Sequence, residues 1–466
     1  MNALRDWRIR TLLLVVVGVT CGYLVVTAMS LAYVVAGIVV LVACAVFFKP
    51  RELLLVAALL VPLFGAVNGA LGSFVVGNMS PADVALAVFT LSAFVRPSIR
   101  DIQGPVWVLF STLACIFLGV ALASTFLNSF LALGLVRVGR IAMVGVCVLG
   151  AARALTWSDA ERATMALVFS TAGVSFLGAI YTILHFAVRS PEMTDELPRL
   201  WGQLIDPNYN AVLIAMTLVI AVSWLPDGGL RNWWRLSAVV LAIALVMTLS
   251  RGGLIAAAAG LATVGTVIWI GRRTGQSMPS PRTIITVAVV LAVFTGALYL
   301  FAPDVLDRGT TRFAGMENVQ TDATGVVRLR IWDAATEMFQ RSPIFGVGPG
   351  AASHAMMSAG LFPRLFEVHN SFLELLVETG ILGFVPLALL LLVGVFSGAT
   401  QALSARAGSQ QERLRTVGLT GALVAGIVGA ASLSGVLFSA GLALVAAILA
   451  VVCSDLLCNV TEESKP

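Results

Sequence analysis

Charge is what this sequence has least of. Only 11% of its 466 residues are Asp, Glu, Lys or Arg, against about a quarter in soluble domains. Mean hydropathy is +0.97 and 59% of residues are hydrophobic. That excludes an ordinary soluble domain and marks an integral membrane protein. The apolar stretches are continuous and not alternating, which excludes a β-barrel. Lysine is almost missing: Lys49 and Lys465 are the only two. Any cationic site away from them must be built from arginine, whose planar guanidinium suits phosphate and carboxylate recognition. Histidine is also scarce, limited to His185, His354 and His369. Cys21, Cys44, Cys115 and Cys147 lie inside apolar runs, and Cys453 and Cys458 at the end of the last one. No disulfide framework and no metal site is indicated.

What is present is a series of apolar runs. A bilayer core of ~30 Å needs ~20 mostly apolar residues per helix. Spans are expected near 11–29, 31–48, 52–67, 81–95, 105–125, 129–150, 162–187, 208–225, 236–250, 252–271, 283–302, 381–397, 417–432 and 435–453. The expected fold is therefore an all-α polytopic membrane protein of about 12–14 transmembrane helices. The net charge of +5 does not point to nucleic acid, because the basic residues come in small groups between apolar runs. That is the pattern of positive-inside topology. With the N-terminus in the cytoplasm, the arginines and lysine of the short loops gather on the cytoplasmic side, and Arg251 alone stands opposite. Both termini are then cytoplasmic. The domain reading is helices over 1–302 with an outer loop at 188–207, a large outer loop region at 303–380, and C-terminal helices with a cytoplasmic tail over 381–466.

The outer loops carry the chemistry. "TGVVRLRIWDAATEMFQR" (324–341) places Val327, Ile331, Trp332, Ala335, Met338 and Phe339 on one helical face, and Ser342-Pro343 should stop that helix. It reads either as an interfacial helix or as a surface helix of a small outer domain. Arg137 and Arg140 lie inside a span, three residues apart and so on one face. Intramembrane arginines are costly, and an inward-facing pair meeting an anionic group is the favoured reading. Arg251 breaks the topology pattern in the turn "LSRGG". Arg199 precedes "LWGQLIDPNYN", in which Asp206-Pro207-Asn208 reads as a helix start. "SPIFGVGPG" lacks the Gly-Lys-Ser/Thr ending of a phosphate loop and reads as turn chemistry. His185 reads as a satisfied helix histidine and His354 as a loop residue. His369 sits in "FEVHNSFLELLVETG", where a helix begins near Asn370, carries Glu374 and Glu378 one turn apart, and can end or bend at Gly380.

Four elements, "RLWGQLIDPNYNA" (199–211), "SRGG" (250–253), "RLRIWDAATEMFQRSPIFGVGPG" (328–350) and "VHNSFLELLVETGILG" (368–383), resemble the O-antigen ligase and polysaccharide polymerase superfamily of bacterial membrane glycosyltransferases. The resemblance covers roughly the C-terminal half. It implies a GT-C-like, metal-independent, inverting transferase in the bacterial cytoplasmic membrane, with no cofactor and its active site at the periplasmic face. The implied partners are a polyprenyl (undecaprenyl) diphosphate-linked glycan donor, a glycan or lipid acceptor, and membrane lipids. By the same resemblance His369 is the base that deprotonates the acceptor. Arg199, Arg251 and one of Arg328 and Arg330 hold the donor diphosphate, with Arg137 and Arg140 a looser match. Glu374, Asn370 and Asn208 are supporting residues. O-antigen ligase is the label favoured, repeat-unit polymerase the alternative, and a lipid-linked glycan flippase or transporter the rival. The polar chemistry gathers at the outer side and not around a midplane cavity, which favours an enzyme.

Overall fold

The computed structural model describes residues 41–64, 80–96, 104–188, 200, 206–225, 230–276, 278, 323–362, 365–404 and 409–463. The expected spans at 11–29 and 283–302, most of 31–48, and Arg199 lie outside the described residues. Among those described, the regular structure is helical, with no strand. In chain order the elements are α1 (Pro50–Phe64), α2 (Pro81–Val95), α3 (Pro105–Leu127), α4 (Leu131–Ala154), α5 (Trp157–Val188), α6 (Pro207–Ser223) and α7 (Arg231–Met247). Then follow α8 (Arg251–Arg273), α9 (Ala323–Arg341), α10 (Ala352–Ser358), α11 (Ser371–Leu403), α12 (Gln410–Ala430), a short 3₁₀ turn at Val436–Phe438, and α13 (Ala440–Glu463). Six of the described helices are long and apolar enough to cross a bilayer: α3, α4, α5, α8, α11 and α12. Shorter apolar helices at Pro81–Val95, Pro207–Ser223 and Ala440–Ser454 accompany them. The chain is a polytopic all-α membrane protein.

The bundle is built around α12, the most enclosed of the long apolar helices. Its main neighbours are α8, α6 and α11. Close approach to α8 depends on small residues: a Cβ on Gly260 would lie 2.7 Å from the Gly421 carbonyl, and one on Gly421 2.8 Å from the Gly260 carbonyl. Such contacts replace the hydrophobic driving force that is missing between helices in lipid. Several span hydroxyls are satisfied within their own helices: Thr125, Thr217 and Thr379 each donate to the carbonyl four residues back, as a polar group in hydrocarbon requires. The outward faces of α3, α5 and α11 expose Val108, Ile183, Leu184 and Phe396, each at least 60% accessible, as lipid-facing side chains do.

The two ends of the bundle differ. At one end lie Arg153 against Phe94, Arg415 paired with Glu161 (2.9 Å) and resting on Trp224, and Arg413 bonded to Gln276. At the other, α9 and α10 form a second small core. Ile331, Ala335 and Met338 of α9 are buried there with Val347, Ala351, Met356, Val368 and Val377. The apolar face expected on 324–341 therefore turns into protein, which is the small-domain alternative. Val327 at its start is the exception, 41% exposed. His354, expected in a loop, lies instead in α10 with its ring 5.8 Å from that of Phe130.

Candidate active site

The helix expected to begin near Asn370 does so: Asn370 caps α11, its side-chain oxygen accepting the N–H groups of Phe372 and Leu373. The span expected from 381 is the continuation of that same helix. The two parts are joined across a bend at Gly380 (φ 63°, ψ −170°), a conformation open only to glycine. The loop 342–350 packs into the bend. Ile381 N–H donates to the Pro343 carbonyl (2.9 Å), Val347 N–H to Val377 (2.9 Å) and Gly348 N–H to Glu378 (3.0 Å). Asn128, just past α3, donates to Ser124 and Gly346 and ties that loop to the bundle. "SPIFGVGPG" is thus a brace for the kinked helix.

His369 precedes the cap in a left-handed conformation, φ 54°. Among the described residues the only other non-glycine at positive φ is Leu249 (51°), two residues before Arg251. Residues with a Cβ pay for this region in strain, and such strain clusters at functional sites. The His369 N–H donates to Ser434 Oγ (2.8 Å), and the preceding carbonyl, of Val368, accepts from Trp332 Nε1 (2.9 Å). The ring's Nδ1 is buried without a hydrogen-bond partner in the protein. Burial, and then the nearby charge of Arg328, lower the His369 pKa below the ordinary 6.5, while Asp206 opposes them. A base that is neutral at physiological pH results.

Three helix N-termini meet at the short turn 431–435 that joins α12 to the 3₁₀ turn. From α6, capped by Asp206, the Tyr209 hydroxyl donates to the Ser434 carbonyl. From α8, capped by Ser250, Gly252 packs so closely on Ser432 that a side chain there would collide with the serine hydroxyl. From α11, Ser371 Oγ donates to the Leu433 carbonyl (2.6 Å) and accepts the Val436 N–H (3.1 Å). Each terminus presents the positive end of a helix dipole. Leu200 is held by its N–H to the Met247 carbonyl (3.0 Å), beside the α7–α8 corner.

The sequence-predicted residues divide. Arg251, half-buried at the start of α8, stands one residue before Gly252, which packs against Ser432, and Asn208 lies in the first turn of α6. Of the two α9 candidates, Arg328 acts electrostatically on His369, whereas Arg330 is exposed. Arg137 and Arg140 face inward as expected but do not act as a pair. Arg137 reaches α11, with Nη2 3.3 Å from Glu374 Oε1 and Nε 3.9 Å from Glu378 Oε2, and its guanidinium lies 5.2 Å from the Phe438 ring. Arg140 reaches α2 and takes both oxygens of Asp83 (3.2 and 3.0 Å), a wholly buried carboxylate that also completes the capping box of Ser80. The anionic groups they meet are the protein's own. Tyr209 and Ser434 were not singled out from sequence. Tyr209 lay in plain view inside "DPNYN", and a serine-rich "SLSG" between two apolar runs was the available signal for Ser434.

Residues 236–388 match the model of a family described as O-antigen ligase. Over that stretch, about a third of its length, the chain is similar to O-antigen ligases. The stretch includes Arg251, Arg328, Arg330, His369, Asn370 and Glu374, and leaves Arg137, Tyr209 and Ser434 outside. No curated protein matches the chain. Together with the apolar helices, that similarity supports a multi-pass bacterial inner-membrane protein of O-antigen ligase or polymerase type.

Proposed function

We propose that the protein transfers a glycan from a polyprenyl-diphosphate carrier to an acceptor hydroxyl at the outer face of the cytoplasmic membrane, as an O-antigen ligase does. One observation carries the reading: His369, with a buried unpartnered ring nitrogen and Arg328 close by, is bonded to the turn at which the N-termini of α6, α8 and α11 meet, Arg251 being the first residue of α8. In the step envisaged, the acceptor O–H gives its proton to His369. Its oxygen forms a bond to the anomeric carbon as the bond from that carbon to the diphosphate breaks, which inverts the centre. The leaving diphosphate gains charge, and preorganised arginines in a site sheltered from water stabilise it. Arg251 and Arg328 are the arginines best placed for this, and Arg199 is retained from the sequence reading. Such a leaving group needs no acid on the donor side, and no metal or cofactor is invoked.

An apolar cleft of about 360 Å³ between α3, α4, α11, α12 and α13 supports a lipid-linked donor. Phe117, Ile141, Leu437 and Phe438 belong to its lining, and Phe438 is the ring beneath Arg137. The cleft thus adjoins the polar site. The arginines at the opposite end of the bundle support the outer-face assignment under the positive-inside rule. Purified protein in liposomes, given a labelled polyprenyl-diphosphate glycan with either a lipid acceptor or more donor, tests the reading. A single lipid-linked product indicates a ligase and a ladder a polymerase. No transfer with either acceptor, from protein shown to be folded, would refute it.

A further inference from the structure

We propose that the 431–435 turn is a positioning element, in which Ser434 holds the His369 backbone in its left-handed conformation and the Arg137–Glu374 pair locks the turn. This rests on the reading of His369 as the base. Ser434 is a positioning residue and not a catalytic one, because it touches the histidine's peptide N–H and not its ring.

The geometry is a chain of single contacts. Ser434 Oγ accepts the His369 N–H at 2.8 Å, and the Ser434 carbonyl accepts the Tyr209 hydroxyl. The next N–H, that of Gly435, donates to Glu374 Oε2 at 2.9 Å. The other oxygen of that carboxylate, Oε1, receives Arg137 Nη2 at 3.3 Å. Glu374 therefore joins α4 to the turn, and the turn joins α6 and α11 to the histidine. Gly435 is itself left-handed (φ 71°), and a Cβ on it would come 3.1 Å from the Tyr209 hydroxyl and 3.7 Å from Arg137 Nη1, so a side chain would press into the lock.

A plain connection between two apolar helices needs none of this. A buried serine holds the His369 N–H, and a half-buried arginine–glutamate pair holds the N–H of the glycine that follows that serine. The left-handed φ of His369 fixes where its Cβ points, and so where the ring meets an acceptor. Misplacing a reacting group by 1 Å costs roughly 10²-fold in rate. This part of the fold therefore serves turnover and not donor affinity.

The test uses the full-length protein in nanodiscs and two readouts. The first is carbethoxylation of His369 by diethyl pyrocarbonate, followed by peptide mass spectrometry with His354 as the internal reference. The second is kcat and donor KM in glycan transfer. For Ser434→Ala we expect the His369/His354 modification ratio to change several-fold. We also expect kcat to fall by about 10- to 100-fold with donor KM within about twofold of wild type, and Ser434→Thr, which keeps the hydroxyl, to restore both. Glu374→Gln, which retains an acceptor for the Gly435 N–H but loses the charge, should fall between; it serves as the second variant if Ser434→Ala does not fold. An unchanged ratio in a folded Ser434→Ala protein overturns the inference, and so does a raised KM with kcat intact. If wild type transfers nothing yet the ratio responds to Ser434→Ala, the functional reading fails while the positioning role stands.

Discussion

Replacing Arg137 by glutamine separates two roles that a buried arginine beside a phosphate-handling site can have. If Arg137 is a donor ligand, its loss weakens donor binding and leaves the fold intact. The contacts say otherwise. Its guanidinium serves Glu374 at 3.3 Å and Glu378 at 3.9 Å, and Glu378 is 2% accessible. Removing one partner of a buried pair and leaving the other costs about 3–5 kcal/mol. Here two carboxyl groups, of Glu374 and Glu378, would be left close together inside the bundle.

Arg137→Gln should therefore unfold at a temperature several degrees lower than wild type, followed by tryptophan fluorescence on heating. Adding Glu378→Gln removes one of the two stranded carboxyl groups and should recover part of the loss. In a double-mutant cycle the coupling should fall at the upper end of the ~0.5–3 kcal/mol seen for contacting residues. Arg137→Gln with unchanged thermal stability and a raised donor KM would refute this argument and restore the donor-ligand role.

Gly380→Ala and Gly346→Ala should both destabilise: the first drives a Cβ into the Ile344 carbonyl and the second into the Glu378 backbone, each at positive φ, for about 1–3 kcal/mol of strain alone. Gly119→Ala in α3, where an added Cβ meets nothing within 4 Å, is the control and should be neutral or slightly stabilising in the same thermal assay. Asn370→Ala removes the α11 cap and should cost about 1 kcal/mol, measured by the same melt. The lowered His369 pKa means the base stays neutral below pH 6.5. The acid limb of the kcat profile should lie below 6.5 and move upward in Arg328→Gln. The stability linked to neutral His369 is present above its unfolded pKa and falls as pH drops from there through the folded value. With native cysteines replaced, Thr336→Cys on α9 should react with an impermeant maleimide from the periplasmic side, and Gln411→Cys at the start of α12 only after the membrane is opened.

Much of the scaffold was legible because its signals are local. Hydropathy marked the spans, the Asn370 cap and Gly380 bend were readable in "HNSFLELLVETG", and the helix expected over 324–341 runs Ala323–Arg341. The partners were not legible. Arg137 and Arg140 share a face, but three residues of helix separate them by about 4.5 Å along the axis. That offset sends one to α11 and the other to Asp83 on α2, a pairing across 57 positions of chain. The choice between Arg328 and Arg330 needed the roll of α9, which its packing on the small core sets. Ser434 stayed hidden because its contact to His369 spans 65 positions, and a short serine turn between two spans looks like a linker until its neighbours are known.

The central claim is that His369 takes the proton from the acceptor. Glycan transfer from purified polyprenyl-diphosphate donor should be compared for wild type and His369→Ala, in protein matched for folding by size exclusion and thermal melt. The account predicts transfer by wild type and a loss of at least about 10²-fold in His369→Ala, with donor binding retained. A folded His369→Ala protein that transfers glycan at the wild-type rate would contradict it.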